Sequence, residues 1–468
     1  MNHSESKAVG HAAPDLGRFH MLAWRWHFYA GLYVVPFLLM LAITGLVMVF
    51  FTGFQHRLGM IMAVTPQVQS TSVGEQAEAV LARLPGAQLK DYVAPKNAEL
   101  PAWFTVQVDG RTEAVAVNPY TAEVMRTVDK ENTVFAWAEK IHGTLLIGDV
   151  GDWLIEIAAG LGIVLIVTGL YMAWPRGRSG WRRVLVPDLT ARGRAWWRSM
   201  HLGIGFWTAL VLVFFLLTGL AWSGVWGGKI VQPWSSFPAD KWDDVPRSDA
   251  THATLSVPGL KEVPWGLELT PLPASGSVAG LPGVPAGQPI SLDTVNDFAR
   301  RIGFKGQYRV ALPQDETGVY TISADSMSGD LADPTGDRYV HLDRYTGRVL
   351  AQVSFADYSP MAKVMAIGIA LHQGDMGLWS AWLNVIFCLA VVFLCISGIV
   401  MWWKRRPASA GRLVAPRVPA NAARWKTGAL VMLAVALLFP MSGAVLVTVL
   451  LLDTLLISRV PAFRQRLS

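Results

Sequence analysis

The sequence predicts a polytopic α-helical membrane protein. It is built from a duplicated unit of spanning helix, external α+β domain and spanning helix, plus a C-terminal spanning helix. The 468 residues are 52% hydrophobic, with a mean hydropathy of +0.35 and 20 tryptophans, which is typical of polytopic membrane proteins and excludes an ordinary soluble enzyme. Five apolar runs reach the roughly 20 residues that cross a bilayer. Matching histidine motifs recur in the two halves of the chain, which indicates duplication.

The apolar runs define the predicted spanning helices. They are Phe28–Phe50, Trp153–Trp174, Leu202–Trp226, Leu378–Trp403 and Thr427–Leu452. Pro440 and Gly443 lie inside the last run and allow either one kinked span or a re-entrant pair of helices. The first run follows a mostly polar segment and is too long for the apolar core of a cleaved signal peptide, so we expect it to remain as a signal anchor.

Basic residues predict the orientation, because loops rich in Lys and Arg stay in the cytoplasm. Two loops are rich in basic residues. The loop between the second and third spans contains one acidic residue, Asp188, and the loop after the fourth span contains no acidic residue. These basic residues are Arg176, Arg178, Arg182, Arg183, Arg192, Arg194 and Arg198, and then Lys404, Arg405, Arg406, Arg412, Arg417, Arg424 and Lys426. The N-terminus is therefore expected inside, with residues 52–152 and 227–377 outside. If the fifth run crosses the membrane once, the basic tail would lie outside, which conflicts with this orientation; its basic residues are Arg459, Arg464 and Arg466.

Two histidines occupy equivalent positions at the start of the first and third runs. His27 and His201 are each followed by a glycine four residues later, Gly31 and Gly205. A Thr-Gly step follows each histidine at seventeen and eighteen positions, namely Thr44-Gly45 and Thr218-Gly219. The spacings of four and eighteen residues fall near whole helical turns, so the glycines share the face of the histidine. They allow close approach of either a neighbouring helix or a flat macrocycle.

A second pair of histidines precedes the second and fourth runs. His142 is followed by a span that ends with Thr168-Gly169, and His372 by one that ends with Ser397-Gly398. Met and Trp then recur at identical offsets from the two glycines. Neutral imidazole is a common ligand for haem iron, and ionisable groups at membrane depth have a functional role by default. The two pairs, His27 with His201 and His142 with His372, therefore predict two haem sites. A lone histidine at a helix end is more often an interfacial residue.

Other residues have weaker claims on a site. Arg25, Arg198, Lys140 and Lys363 are predicted partners for haem propionates, although interfacial basic residues are more often snorkelling anchors. His56 is a rival external ligand, while the remaining histidines have no counterpart in the repeat. They are His3, His11 and His20 near the N-terminus, and His252 and His341, which we expect to face solvent. Cys388 and Cys395 lie inside the fourth span and are expected to be packing residues.

Each external segment carries a small α+β pattern. The first contains a predicted helix, Ser72–Leu84, and strands Trp103–Val108 and Glu113–Val117 joined by a turn at Asp109-Gly110. The second contains a capped helix and three strands, predicted at Ser291–Ile302, Tyr308–Leu312, Gly318–Ser323 and Tyr339–Leu342. Each ends in a similar turn, Asn118–Val124 and Asp343–Val349. The Pro-, Gly- and Ser-rich segment 233–289 predicts an irregular external loop.

These features resemble the PepSY-associated transmembrane proteins, the iron-regulated inner-membrane group that includes siderophore reductases. The resemblance covers about residues 18–455 and rests on the Tyr-Thr turns at Tyr120 and Tyr345, the histidine-then-Thr/Ser-Gly spans and the repeated helix–domain–helix order. The segment 233–289 departs from the family pattern. The resemblance implies a bacterial inner-membrane protein with two haem b groups that passes electrons to iron in a periplasmic ferric siderophore.

Two other function classes stay open. PepSY-like domains are also associated with protease inhibition, so a non-enzymatic regulatory or binding protein is the first alternative, and a siderophore or iron transporter component is the second. Nothing in the sequence identifies the electron donor, for which a quinol or a cytoplasmic flavoprotein are both suitable. No feature calls for nucleic acid, because the formal charge of +6 follows from the basic cytoplasmic loops.

The predicted division of the chain follows from these assignments. It runs as N-terminus and first span 1–52, PepSY-like domain 53–152, second span 153–174, basic loop 175–200, third span 201–226, Pro-rich loop and second PepSY-like domain 227–377, fourth span 378–403, basic loop 404–426, and fifth span with tail 427–468.

Overall fold

The computed structural model describes residues 16–59, 62–175, 180–257, 260–405 and 426–452. These residues form two compact units. The helical unit consists of the described parts of residues 1–39, 157–216 and 390–468, and the sheet unit consists of those of 40–156 and 217–389.

Among the described residues, four helices are long and apolar enough to cross a membrane, in agreement with the first four predicted spans. They are α1 (Leu16–Phe54), α4 (Asp149–Ala173), α6 (Gly193–Leu220) and α9 (Leu378–Arg405). Shorter helices lie between them. They are α2 (Val73–Arg83), α3 (Val134–Thr144), α5 (Gly180–Leu185), α7 (Leu292–Arg301) and α8 (Pro360–Gln373). His27 lies well inside α1, because the helix begins eleven residues before it rather than at the start of the apolar run.

The fifth apolar run differs from the single span predicted for it. It forms two helices of 13 residues each, α10 (Lys426–Leu438) and α11 (Pro440–Leu452), which pack against one another. Pro440 lacks the backbone N–H that a continuous helix requires and is the first residue of α11 instead. A Cβ on Gly443 would lie 2.7 Å from the Cα of Ala436, so glycine permits the close approach. The 13 described residues of each helix rise about 20 Å.

Parts of the basic segments fall outside the described residues. These parts include Arg176, Arg178, Arg406, Arg412, Arg417, Arg424 and the tail residues Arg459, Arg464 and Arg466, together with His3 and His11. The helix α5 contains Arg182 and Arg183 in its last turn, where basic side chains interact favourably with the helix dipole. The orientation drawn from these loops stays a prediction.

The two external segments form one sheet rather than two separate domains. The strands, in chain order, are β1 (Gln88–Val93), β2 (Ala102–Val108), β3 (Arg111–Val117), β4 (Val124–Asp129), β5 (Arg247–Thr251), β6 (Pro271–Pro273), β7 (Arg309–Ala311), β8 (Val319–Ala324), β9 (Arg338–Asp343) and β10 (Val349–Ser354). Eight of them make an antiparallel sheet in the order β10-β9-β8-β7-β1-β2-β3-β4. The halves meet where β1 pairs with β7, with Tyr92 opposite Val310. Each half supplies four strands and one helix.

One face of this sheet is covered by the two predicted amphipathic helices. Both α2 and α7 begin with the expected serine caps, Ser72 and Ser291, each closed as a capping box by the residue three positions later. Their buried side chains join those of the strands in one core that contains Val80, Phe104 and Val295. Burying such side chains is the main stabilising contribution to the sheet unit.

The Pro-rich segment forms a packed layer over the other face. It includes the two-stranded β5–β6 sheet and buries Trp242, Trp265 and Leu267. The expectation that His252 and His341 face solvent is therefore wrong, because both are 0% exposed. His341 lies on the face of β9 that this segment covers, and its Nε2 is 3.1 Å from Nε2 of His252. Burial lowers the pKa of His252 to about 4, so both rings are packing residues in neutral form.

Candidate functional site

His27 and its neighbours on α4 form the first part of the candidate site. The Nδ1 atom of His27 lies 3.1 Å from the hydroxyl of Thr168 and 3.0 Å from the carbonyl of Leu165. In the same helical unit, Nδ1 of His201 lies 2.7 Å from the hydroxyl of Ser397 on α9. Each histidine is therefore held by the Thr-Gly or Ser-Gly step of another spanning helix.

The sheet unit contains the same arrangement for the second pair of histidines. His142 on α3 has its Nδ1 at 2.8 Å from the hydroxyl of Thr44 on α1. His372 on α8 has its Nδ1 at 2.7 Å from the hydroxyl of Thr218 on α6. All four histidines thus meet one of the four small-residue steps, and each step serves one histidine.

The hydroxyl groups determine which ring nitrogen carries the proton. The hydroxyl of Thr44 donates to the carbonyl of Met40 at 2.9 Å, that of Thr168 donates to Val164 at 2.7 Å, and that of Ser397 donates to Leu394 at 3.0 Å. Since these three hydroxyl hydrogens are used on their own helices, the oxygens accept, and Nδ1 is the protonated nitrogen of His27, His142 and His201. For His27 the carbonyl of Leu165, which can only accept, requires the same assignment. The lone pair of the ring is then on Nε2. This is how outer hydrogen bonds orient a histidine that ligates a metal.

Each glycine of the four steps lies against a histidine ring. A Cβ added to the glycine would lie 3.1 Å from Cε1 of His27, 3.8 Å from that of His201, 3.9 Å from that of His142 and 3.6 Å from that of His372. The glycines are, in that order, Gly169, Gly398, Gly45 and Gly219. A missing side chain lets the ring lie close to the neighbouring helix, with its Nδ1 beside the hydroxyl one residue earlier.

Gly31 and Gly205, which were predicted to bind the cofactor, each face a neighbouring helix. A Cβ on Gly31 would lie 3.5 Å from Leu165 of α4, and one on Gly205 would lie 3.5 Å from Leu394 of α9. These contacts are consistent with close helix packing. The role of the two glycines toward a cofactor stays a prediction. The Thr-Gly steps of α1 and α6 serve His142 and His372 rather than the histidines of their own helices.

The two rings of the second pair face one another at a separation that fits a shared metal ion. The ring centroids of His142 and His372 are 6.4 Å apart, and the rings are inclined by 82°. Two imidazoles that bind one first-row metal ion from opposite sides at about 2.0–2.1 Å have centroids roughly 6–6.5 Å apart.

The described residues contain no cluster of three or more His, Cys, Asp or Glu side chains arranged to hold a metal ion. A haem iron takes four ligands from its porphyrin, so the protein supplies only the axial ones. Pairs of histidines with Nε2 as the lone-pair nitrogen fit that requirement.

Comparison with known protein families identifies the family of the chain. A model of the PepSY-associated TM region matches residues 24–405, well over half of the chain. The chain belongs to this family. No curated protein matches it. The matched region of this PepSY-associated protein contains all four histidines and all four steps that hold them.

His56 is oriented unlike the four histidines of this PepSY-associated protein. Its Nδ1 accepts a hydrogen bond from the backbone N–H of Leu58 at 3.2 Å, so in the neutral ring the proton is on Nε2. The ring stacks on Trp103 at 5.5 Å. Burial, together with the positive charge of Arg57, lowers the pKa of His56 to about 4, which keeps the ring neutral. The claim of His56 as a rival ligand stays a prediction, and His20, half-buried near the start of α1, has no equivalent in the repeat.

The predicted propionate partners contact other groups of the protein. Arg25 lies over the ring of Tyr29 at 5.0 Å, and Arg198 is exposed. The amine of Lys140 donates to the carbonyl of Glu131 at 3.1 Å, and that of Lys363 donates to the carbonyl of Ala356 at 2.7 Å. Both lysines therefore bend away from the end of the helix that carries the histidine. Their role toward a cofactor stays a prediction.

Several residues around His372 were not predicted as part of the site. Asn384 of α9 donates to the carbonyls of Leu371 and His372 at 2.9 and 2.8 Å, which fixes the last turn of α8. Arg57 forms an ion pair with Asp375 at 2.6 Å, and it also donates to the carbonyl of Met327 at 3.0 Å. Arg57 could have been found as the only charged residue directly after the first apolar run. Its partner, more than 300 residues later, could not.

Proposed function

We propose that the protein is a bacterial inner-membrane oxidoreductase with two bis-histidine haem b groups. In this proposal it passes electrons across the membrane, with its N-terminus in the cytoplasm, and reduces ferric iron in periplasmic siderophore complexes. The proposal rests on one local arrangement that occurs four times in the structure. Each histidine is held through Nδ1 by a Thr or Ser hydroxyl and lies against the glycine that follows it.

His27 and His201 would hold one haem, and His142 and His372 the other. When bound, haem supplies a one-electron Fe(III)/Fe(II) couple. The chain contributes rings whose proton is kept on Nδ1, so that Nε2 need not lose a proton before binding iron. The hydroxyl groups also fix the rotation of each ring. Such orientation lets a ligand pair keep its geometry through repeated electron transfer.

The proposed substrate follows from the chemistry of iron. Siderophores bind Fe(III) through hard oxygen donors, and Fe(II) is held less well by the same ligands. One electron delivered to the complex converts Fe(III) to Fe(II) and loosens the metal without breaking a bond of the carrier. The electron comes from a quinol or a reduced cytoplasmic flavoprotein, and two sites in one chain shorten its path across a bilayer core of about 30 Å.

The first test is haem content. The protein purified from haem-replete cells is expected to show a b-type reduced-minus-oxidised spectrum. His27→Ala or His201→Ala should remove one haem, and His142→Ala or His372→Ala the other. His56→Ala is the matched control, because its Nδ1 accepts a backbone N–H, and it should leave the haem content unchanged. Absence of a Soret band in the well-folded wild type contradicts the proposal.

The second test is electron delivery. The chemically reduced protein is mixed anaerobically with a ferric hydroxamate complex and an Fe(II) chelator. Reoxidation of the protein, together with formation of the Fe(II) chelate in stoichiometric amounts, is the expected result. A protein that stays reduced contradicts the assigned substrate class. A colourless protein that binds a peptidase would favour the regulatory alternative, and uptake of the intact complex into proteoliposomes would favour transport.

A further inference from the structure

The short helices α3 and α8, which carry His142 and His372, expose an unusual set of side chains. On α3 the exposed side chains are Val134, at 61%, and Trp137, at 46%. On α8 they are Pro360, Met361, Val364 and Ile367, with Val364 exposed by 64%. The residues from Met361 to Ile367 are spaced by three, so they lie along one side of the helix. Every exposed side chain on these two helices is apolar.

The opposite sides of the two helices are apolar as well, because they pack on the protein. Ala136 of α3 contacts Val257 and Leu260 of the Pro-rich segment. Met365 and Ile369 of α8 are buried in one cluster with Trp265. A helix between a protein core and water has a polar outer side, and one that is hydrophobic all round is surrounded by apolar material. The outer sides of α3 and α8 therefore need an apolar neighbour.

The other two helices of the sheet unit provide an internal comparison. On α7 the exposed side chains are those of Asp297, Arg300 and Arg301, and on α2 they include Glu75 and Glu78. These helices cover the core on the far face of the sheet and present charge to water, as expected for a water-facing surface. The contrast lies within one unit, so it does not reflect the composition of the whole chain.

Exposed apolar side chains also follow α3 and α8 in the chain. The turn after α3 contains Leu145 and Leu146 with positive φ values of 53° and 63°, a conformation that usually selects Gly or Asn. Leu146 and the next residue, Ile147, are exposed, and α4 begins two residues later. After α8, the exposed Trp379 stands at the start of α9. Each surface is thus continuous with a membrane-spanning helix.

We infer that α3 and α8 lie in the lipid bilayer, in the interfacial region of the leaflet adjoining the sheet unit, with their exposed apolar sides against phospholipid chains. Tryptophan at such boundaries is typical of the interface, where apolar area is buried at the level of the headgroups. The amine of Lys363 bends back to the carbonyl of Ala356, as expected of a lysine that keeps its charge out of the lipid. A water-soluble acceptor must then approach His142 and His372 at the membrane surface. This lipid contact does not depend on haem.

The test uses spin labels in the full-length protein reconstituted into phosphatidylcholine nanodiscs. Labels are attached at Val134→Cys on α3 and Val364→Cys on α8, in a Cys388→Ala/Cys395→Ala background. Asp297→Cys on α7 is the water-facing control, and Ile386→Cys, which is 65% exposed on α9, is the lipid-facing control. Collision with oxygen, which concentrates in lipid, is compared with collision with a neutral nickel chelate, which stays in water.

Labels on α3 and α8 are expected to resemble the label at position 386, with high oxygen access and low nickel access. Met361→Cys gives a second position on α8 if the first disturbs folding. Nickel access equal to that at position 297 would overturn the lipid assignment in favour of an aqueous surface. An immobile label protected from both reagents would overturn it in favour of a protein partner or a second copy of the chain.

Discussion

The hydroxyl of Thr44 provides the most specific test of how the histidines are held. Replacing it by valine keeps the volume and the branched shape but removes the oxygen that lies 2.8 Å from Nδ1 of His142. The protonated Nδ1 then loses its acceptor in a partly buried site. Leaving such a donor unpaired costs about 1–3 kcal/mol. Substitutions of this kind behind a ligating histidine typically weaken metal binding about 10–100-fold.

We therefore expect Thr44→Val to lower the affinity for the haem at His142 and His372 by about 10–100-fold. The haem at His27 and His201 should be retained, because Thr44 does not contact those rings. Thr44→Ser keeps the hydroxyl and should bind haem like the wild type. The assay is titration of the haem-depleted protein with haemin, followed by the Soret band and by total haem after extraction.

Thr208→Val is the matched control for a threonine lost from a spanning helix. The hydroxyl of Thr208 on α6 donates to the carbonyl of Ile204 at 2.8 Å, like that of Thr44 to its own helix, but it holds no histidine through a described hydrogen bond. Equal haem affinity in Thr44→Val and the wild type would refute the assigned role of the hydroxyl. Equal losses in Thr44→Val and Thr208→Val would show that the effect comes from helix stability.

Three further predictions follow from the same geometry. Gly169→Ala places a Cβ 3.1 Å from Cε1 of His27 and should reduce the amount of haem bound by His27 and His201. In Gly398→Ala the added Cβ lies 3.8 Å from Cε1 of His201, so this substitution should be tolerated. The haem content of the two variants is compared after extraction. Arg57→Met leaves the buried Asp375 without its ion partner and should lower the free energy of unfolding by about 3–5 kcal/mol, with partial recovery in Arg57→Met/Asp375→Leu, as measured by denaturant unfolding in detergent. Burial raises the pKa of Asp337 to about 8, above its value in the unfolded chain, so the folded protein holds a proton that the unfolded chain releases. The stability of the protein should therefore fall as the pH rises from about 4 to 8. Asp337→Asn should flatten this decline, measured as melting temperature against pH, and an unchanged pH profile would contradict the assignment.

The histidines and the small-residue steps could be found in the sequence, but their mutual assignment could not. Helical periodicity places Gly31 and Gly45 on the same side of α1 as His27. It does not show which helix lies next to that side. In the structure, Thr44 holds His142, nearly a hundred residues later. Such pairing depends on helix packing, which a single sequence does not encode in its local pattern.

The sheet was predicted in its parts and not in its assembly. Both helices with their caps, and most of the strands, follow from alternation and turn residues. The strand β1 was not predicted, since Gln88–Val93 lacks a clean alternation, and it is the strand that joins the halves by pairing with β7. The wrong expectation for His341 has a related cause. The segment that covers it has no periodicity, so its packed layer leaves no local signal.

The most direct test of the central claim is the electron paramagnetic resonance spectrum of the oxidised, purified protein. Two histidines on each iron predict low-spin ferric haem at both sites, and the 82° angle between the rings of His142 and His372 predicts a strongly anisotropic signal from that pair. His372→Ala should abolish this signal and leave the other. A spectrum without ferric haem, or with high-spin haem alone, would contradict the account.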